Sequence, residues 1–447
     1  VFAYIDQQQS AFIQRLVDYV RHPSISAHGT GIAEVATLLV EMLTGMGFGT
    51  QAVPTAGWPM VLGKRIEHPD ALTVMLYGHY DVQPPDPLEL WVSPPFEPTV
   101  RDGRLYARGV GDNKGQHFAQ LLALESLLAV RGKLPLNVIV LLEGEEEIGS
   151  PHMPQFIRDH RDDLRADLVI TADGPVHESG RATVCFGVRG AISFELRART
   201  ANRDLHSGGW GGVAPNALWT LVQLLATMKN PQGLITIDGF YDDVLPPTER
   251  EQQAINALPL DVAQVKASLG LSSLDEPQER GFYERTMFWP TLTINGLHGG
   301  YGGPGSKTVL PHEAVAKCDI RLVERQRVAD ILAKLSAHVA RHAPEVMLIV
   351  DDGLMEPSKS PLDSRFTAPI VRALEIVHEE PPLLIPSAGG SLPDYAFTKT
   401  LGIPAFVVPY ANADEANHAP NENMELWRFV AGIKSGAAML TYLGALP

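Results

Sequence analysis

Three short runs that are apolar at every position constrain this chain most: LTVML at 72–76, VIVLL at 138–142 and LVI at 168–170. A strand with one face in water alternates apolar and polar residues, so a run without alternation reads as a strand buried on both faces. Between the first two runs, Phe118, Leu121, Leu122, Leu124, Leu127 and Leu128 recur at helical spacing. Strand, helix, strand is the signature of a parallel sheet flanked by helices, and the expected fold class is α/β. Upstream, apolar residues at helical spacing predict helices over 11–20 and 32–46, the second ending at Gly47.

Near Gly190 the pattern changes. Residues 192–198 and 316–322 alternate with period two, as half-exposed strands do, and helical patterns over 214–228 and 328–339 supply cover for one face. A smaller α+β domain is therefore expected over 190–352, with a Pro- and charge-rich stretch of short helices at about 231–288. The α/β texture then returns with a helix over 366–377, a strand over 403–408 and a last helix over 424–443. Residues 1–189 and 353–447 thus read as one domain into which the smaller one is inserted.

With 447 residues, 45% of them hydrophobic, the chain can bury a large core. Its 36 Lys and Arg against 52 Asp and Glu leave a net charge of −16, which argues against nucleic acid or an anionic membrane as partner. Cys185 and Cys318 are too few for a thiolate zinc site or a disulfide framework. No apolar run approaches the ~20 residues of a membrane span, and the opening VFAYIDQQQS has no leader-like pattern, so the expected compartment is the cytoplasm.

Ligands of open α/β sheets bind at the carboxyl ends of the strands. Here those ends lead into His79 and Asp81, into Glu143, Glu145, Glu146 and Glu147, into Asp173, and after a loop into His418, while Asp112 lies just before the central helix. Crowded carboxylates raise one another's pKa, and bound divalent metal relieves this. Imidazole with carboxylate and no thiolate suits zinc or manganese.

The segments GHYDVQP (78–84), ARGVGDNKG (107–115), EGEEEIGS (143–150), TADGP (171–175), DLHSGGWGG (204–212) and NHAPNE (417–422) carry a family resemblance. They resemble the dinuclear-zinc exopeptidases and amidohydrolases that include carnosine dipeptidases, aminoacylases, glutamate carboxypeptidases and succinyl-diaminopimelate desuccinylase. FYDDVLPPTERE (240–251) and GPGSKTVLPHEAVAKCDIRLV (303–323) are similar to the carnosine dipeptidase branch. The resemblance implies two divalent ions, zinc first and manganese second, one held by His79, Asp112 and Asp173 and the other by Asp112, Glu147 and His418. Asp81 would orient His79, and Glu146 would be the general base for a metal-bridging hydroxide. Glu143 and Glu145 are left over and read as surface acids at the strand end.

By the same resemblance the inserted domain is a lid and dimerisation domain. His206 would reach across a homodimer to stabilise the oxyanion, and Arg321 and Ser391 would bind a substrate carboxylate. An Asp at position 173 matches the dipeptidases of the superfamily, where Glu matches carboxypeptidases and acylases. The expected activity is hydrolysis of dipeptides or short peptides with a free C-terminal carboxylate. N-acyl amino acid deacylation, desuccinylation or carboxypeptidase action is the alternative. A catalytically inert binding protein of this fold should have lost a ligand or the base, and none is missing; a serine hydrolase would need a Gly-x-Ser-x-Gly elbow, which is absent.

Overall fold

The runs read as two-sided strands form the centre of an eight-stranded sheet. The structure, a computed structural model, describes residues 1–275 and 280–447. The strand order is Gly49–Val53, Met60–Arg65, Asn137–Glu143, Thr73–His79, Leu168–Thr171, Ala405–Val407, Thr183–Cys185 and Leu383–Ile385. Asn137–Glu143, Thr73–His79, Leu168–Thr171 and Ala405–Val407 are parallel to one another. Antiparallel partners flank them on both sides. This is the mostly parallel α/β sheet that the patterning predicts.

Alternate side chains of one strand serve different cores. Val74 and Leu76 pack with Phe12, Phe118, Ile370 and Phe429 from the helices on one face, whereas Met75 and Tyr77 pack with Phe156 and Phe397 on the other. Each such side chain contributes roughly 1.5–3 kcal/mol of burial, so a polar residue at any of these positions is costly. The helix Lys114–Arg131 is wedged between the sheet and the helices Phe2–Val20 and Leu426–Leu443. Its first eleven residues, 114–124, are therefore buried all round, beyond the one-sided stripe that its periodicity predicts.

Where that helix meets the sheet, the strand carries Gly78. A Cβ there would lie 2.7 Å from His117 Cβ and 2.9 Å from Asn113 Oδ1. The missing side chain lets Asn113 sit against the strand end, where its Oδ1 accepts from the His79 N–H at 3.3 Å and its Nδ2 donates to the Ala172 carbonyl at 2.6 Å. Asn113 thereby ties two neighbouring strand ends together.

The second sheet has the order Thr291–Gly299, Glu313–Leu322, Gly190–Arg199, Met347–Val350, antiparallel throughout. Burial alternates along its central strands, and Ile192, Phe194, Leu196 and Ala198 pack under the helices Ala217–Met228 and Val328–His342. The stretch 231–288 does hold short helices, Glu249–Asn256, Val262–Leu269 and Phe282–Phe288. Part of it packs on the edge of the large sheet, where Ile255, Leu258, Met287 and Phe288 meet Leu383. Among the described residues no helix is long and apolar enough to cross a membrane.

Replacing Gly78 with Ala forces the central helix away from the strand. Stability should fall by about 1–3 kcal/mol in chemical denaturation, and a variant as stable as the parent would show that the contact is not tight.

Candidate metal centre and active site

The carboxyl ends of the parallel strands bring His79, Asp112, Asp173, Glu147 and His418 together. His79 is fully buried; its Nε2 lies 3.0 Å from Asp112 Oδ1 and 3.6 Å from Asp173 Oδ2. His418 Nε2 lies 3.1 Å from Asp112 Oδ2 and 3.1 Å from Glu147 Oε2. The two oxygens of one carboxylate therefore head two separate groups, His79 with Asp112 and Asp173, and Asp112 with Glu147 and His418. His418 adopts φ +55°, a backbone conformation that costs energy for a residue with a side chain.

Asp81 holds both the imidazole and the acids. Its backbone oxygen and Oδ1 lie 3.1 and 3.3 Å from His79 Nδ1, while its carboxylate accepts the N–H groups of Glu146 at 3.2 Å and Glu147 at 3.1 Å. A proton on Nδ1 directed at Asp81 leaves the Nε2 lone pair free for a cation.

Burial dominates the electrostatics of these acids. It pushes Glu147 up to about 7 and Asp173 up to about 6, in both cases with the Asp112 charge as the next cause. Glu146 is raised well above the usual carboxylate range, first by burial; His79 opposes the rise, and Glu147, Asp173 and Asp112 add to it. Asp112 goes the other way, because the two imidazoles outweigh its burial. His418 is raised to about 11 by its bonds to Asp112 and Glu147, and for His79 the carboxylates around it outweigh burial. Asp173 Oδ2 is buried without a hydrogen-bond partner. An orphaned carboxylate oxygen, two imidazole nitrogens aimed into the cluster and a shared central carboxylate fit two divalent cations of the zinc or manganese type.

Beside this cluster lies a cavity of about 370 Å³ whose lining includes Asp112, Glu146, Asp173 and His418 and also Arg321 and Ser391. Arg321 comes from the second sheet and Ser391 from a loop beside the first, yet Arg321 Nη1 donates to Ser391 Oγ at 2.7 Å. His206 does not line this cavity. It is exposed, its Nδ1 accepts the Gly208 N–H at 3.0 Å, and Thr308 Oγ1 is 3.5 Å from its Nε2.

Residues 75–442 match the family model described as Peptidase family M20/M25/M40. The chain belongs to this family. Among solved structures it is similar to an M20 family metallo-carboxypeptidase from Sulfolobus solfataricus, with 33% identity and a TM-score of 0.91 over 97% of this chain and 99% of that one. Human carnosine dipeptidase 1 is 27% identical with a TM-score of 0.82, covering 100% of this chain and 99% of the other. A Cys-Gly metallodipeptidase of Candida albicans is 28% identical over 472 residues, 99% of this chain and 97% of that protein. The chain is thus an M20 peptidase of the branch that the carnosine dipeptidases represent.

In this M20 chain the two acids expected at the surface are inside. Glu143 is fully buried, accepts from Tyr77 Oη at 2.7 Å and is pushed up to about 8 by burial. Glu145 is 2% exposed, with Trp58 N–H at 3.0 Å and His152 Nδ1 at 2.7 Å. Glu143 ends and Glu145 follows a strand that is covered on each face, so that strand end is also enclosed. Sequence reasoning missed Glu422, whose carboxylate accepts from Gly109 N–H at 2.8 Å, Gly111 N–H at 2.9 Å, Asp112 N–H at 3.0 Å and Arg108 Nη1 at 2.8 Å. It also missed Gln83, which donates to Glu147 Oε2 at 3.0 Å. The only sequence signal for either was its place inside NHAPNE or GHYDVQP.

The metal-free site holds protons that a cation must displace. Since His79 and His418 are both raised and Glu147 is pushed up to about 7, loading near pH 7 should release at least two protons per chain, and affinity should strengthen from pH 6 to pH 8. Calorimetry in buffers of different ionisation enthalpy measures this; pH-independent binding without proton release would contradict the arrangement.

Proposed function

We propose that this M20 peptidase is a dinuclear metallodipeptidase that hydrolyses dipeptides or short peptides with a free C-terminal carboxylate. The observation that carries the reading is one cavity lined both by the acid and imidazole cluster and by the Arg321–Ser391 pair. Dipeptidase names among the relatives support it, and so does Asp rather than Glu at position 173.

His79, Asp112 and Asp173 would hold one ion and Asp112, Glu147 and His418 the second, zinc by preference or manganese. Bound there, the ions would acidify a water and polarise the scissile carbonyl. Glu146 takes a proton at its carboxylate and returns it to the departing amine, which an amide nitrogen needs in order to leave. Asp81 keeps Glu146 and His79 in register through the bonds described above. Arg321 offers a planar fork to the substrate carboxylate, with Ser391 as a further donor.

His206 supplies an oxyanion donor from the partner subunit of a homodimer. Its Nδ1 accepts a backbone N–H, which leaves Nε2, 3.5 Å from Thr308 Oγ1, as the donor edge, and the residue is exposed and does not line the cavity of its own chain. Residues 190–352 act as the lid and dimerisation domain on a catalytic domain built from 1–189 and 353–447. The enzyme works in the cytoplasm.

Glu146→Gln keeps shape but removes the proton acceptor. Amine release from dipeptides should fall on the order of a hundredfold or more while metal content stays near two per chain; loss of metal would make Glu146 a ligand instead. The same assay should turn over dipeptides in preference to N-acyl amino acids, and the reverse preference would make the chain a deacylase. Mixing His206→Ala with Glu146→Gln chains should restore part of the activity, because some heterodimer sites then have both groups. Heterodimers without activity would remove His206 from the shared site.

A further inference from the structure

The cavity has a third wall that the chemistry above does not use. Cys185, Val188, Ala388, Leu392 and Val407 line it together with the acids of the metal cluster and the Arg321–Ser391 pair. Cys185, Val188 and Val407 form a small apolar cluster of their own, against which Ala388 and Leu392 pack. Their position follows from the sheet: Val407 pairs with Cys185 where Ala405–Val407 adjoins Thr183–Cys185, and Val188 bridges to Ala388 just before the loop that carries Ser391. The Cys185 thiol is pushed up to about 12, first by burial and then by Asp394, so it packs here as a small apolar group.

We propose that this wall is the pocket for the side chain of the substrate's C-terminal residue, and that it selects uncharged apolar side chains such as leucine, methionine or valine. The inference rests on the dipeptidase reading. Leu392 adjoins Ser391 in sequence and Ala388 is three residues before Ser391, so this stretch of the wall lies beside the proposed carboxylate donor, while Val407, paired with Thr171, carries the wall on toward the Asp173 loop. A side chain branching from the carbon that bears the carboxylate meets these residues first.

Charge completes the argument. Among the described residues lining the cavity, Arg321 is the only Lys or Arg, and the substrate carboxylate occupies it. An acidic side chain would enter without a counter-ion. The carboxylates of the cavity, Asp112, Glu146 and Asp173, belong to the metal cluster and are committed to the ions and the attacking water in the proposed mechanism, so a basic side chain is equally unpaired. A charge placed against an apolar wall without a partner loses its hydration and gains nothing in return.

The test is a series Ala-X with X as Leu, Met, Val, Glu or Lys, alongside N-acetyl-Leu and N-acetyl-Glu, on zinc-loaded enzyme. Wild type should favour Leu, Met and Val over Glu and Lys by tenfold or more in kcat/KM. Leu392→Lys, at a partly exposed position, should narrow the Leu-to-Glu ratio at least tenfold by supplying a counter-ion. That ratio is read within one protein, so a general loss of activity leaves it unchanged. Ala-Glu or Ala-Lys cleaved as well as Ala-Leu would overturn the pocket while leaving the dipeptidase standing. A preference that follows the N-terminal residue in an X-Ala series would put the wall at the other end and also overturn it. If only the N-acetyl compounds turn over, the dipeptidase reading fails, and the Leu-to-Glu ratio on those compounds still decides the pocket.

Discussion

A single carboxylate, Asp112, faces an imidazole with each of its oxygens, and the rest of the site is arranged to hold it there. The group is 8% exposed and has five more acids around it, Glu146, Glu147, Asp173, Glu415 and Glu422. Burying so much like charge costs several kcal/mol per group unless cations or protons offset it. Without metal, protons do so: the imidazoles are charged and Glu147 and Asp173 titrate near neutrality. With metal, the same lone pairs would serve as ligands.

Keeping Asp112 in place takes partners that are far apart in the sequence. Glu422 gathers three backbone N–H groups of the 109–112 loop and neutralises Arg108 behind it. Asn113 joins the loop to two strand ends, and Gly78 leaves the room that Asn113 needs. Asp81 does the corresponding work for His79 and the Glu146–Glu147 turn. The apolar strands on which all this is mounted are buried on both faces, which gives the cluster a rigid base.

The architecture was legible because it depends on periodicity. Unbroken apolar runs read as two-sided strands, and the switch to period two near Gly190 marked a second kind of sheet. The metal-type residues were legible for a related reason, since several loops at the same sheet edge each carried an acid or imidazole. The supporting groups were not. Glu422 meets Arg108 across 314 positions of sequence, and nothing local separates a buried acid that organises a loop from a surface one. Glu143 and Glu145 were misread for the same reason, because an acidic run at a strand end reads as exposed until the covering loop with Trp58 is known. The packing of Ile255 and Phe288 against Leu383 is likewise a long-range contact without a local pattern.

The shared carboxylate is open to a direct measurement, the metal content of single-ligand variants after equilibration with limiting free zinc. Asp173→Ala and Glu147→Ala each remove one ligand from one group, so each should keep about one ion per chain. Asp112→Ala removes a ligand from both groups and should leave the chain close to metal-free, while circular dichroism reports an intact fold. An Asp112→Ala chain that retains one tightly held ion would contradict the account, because Asp112 would then serve one site rather than join two.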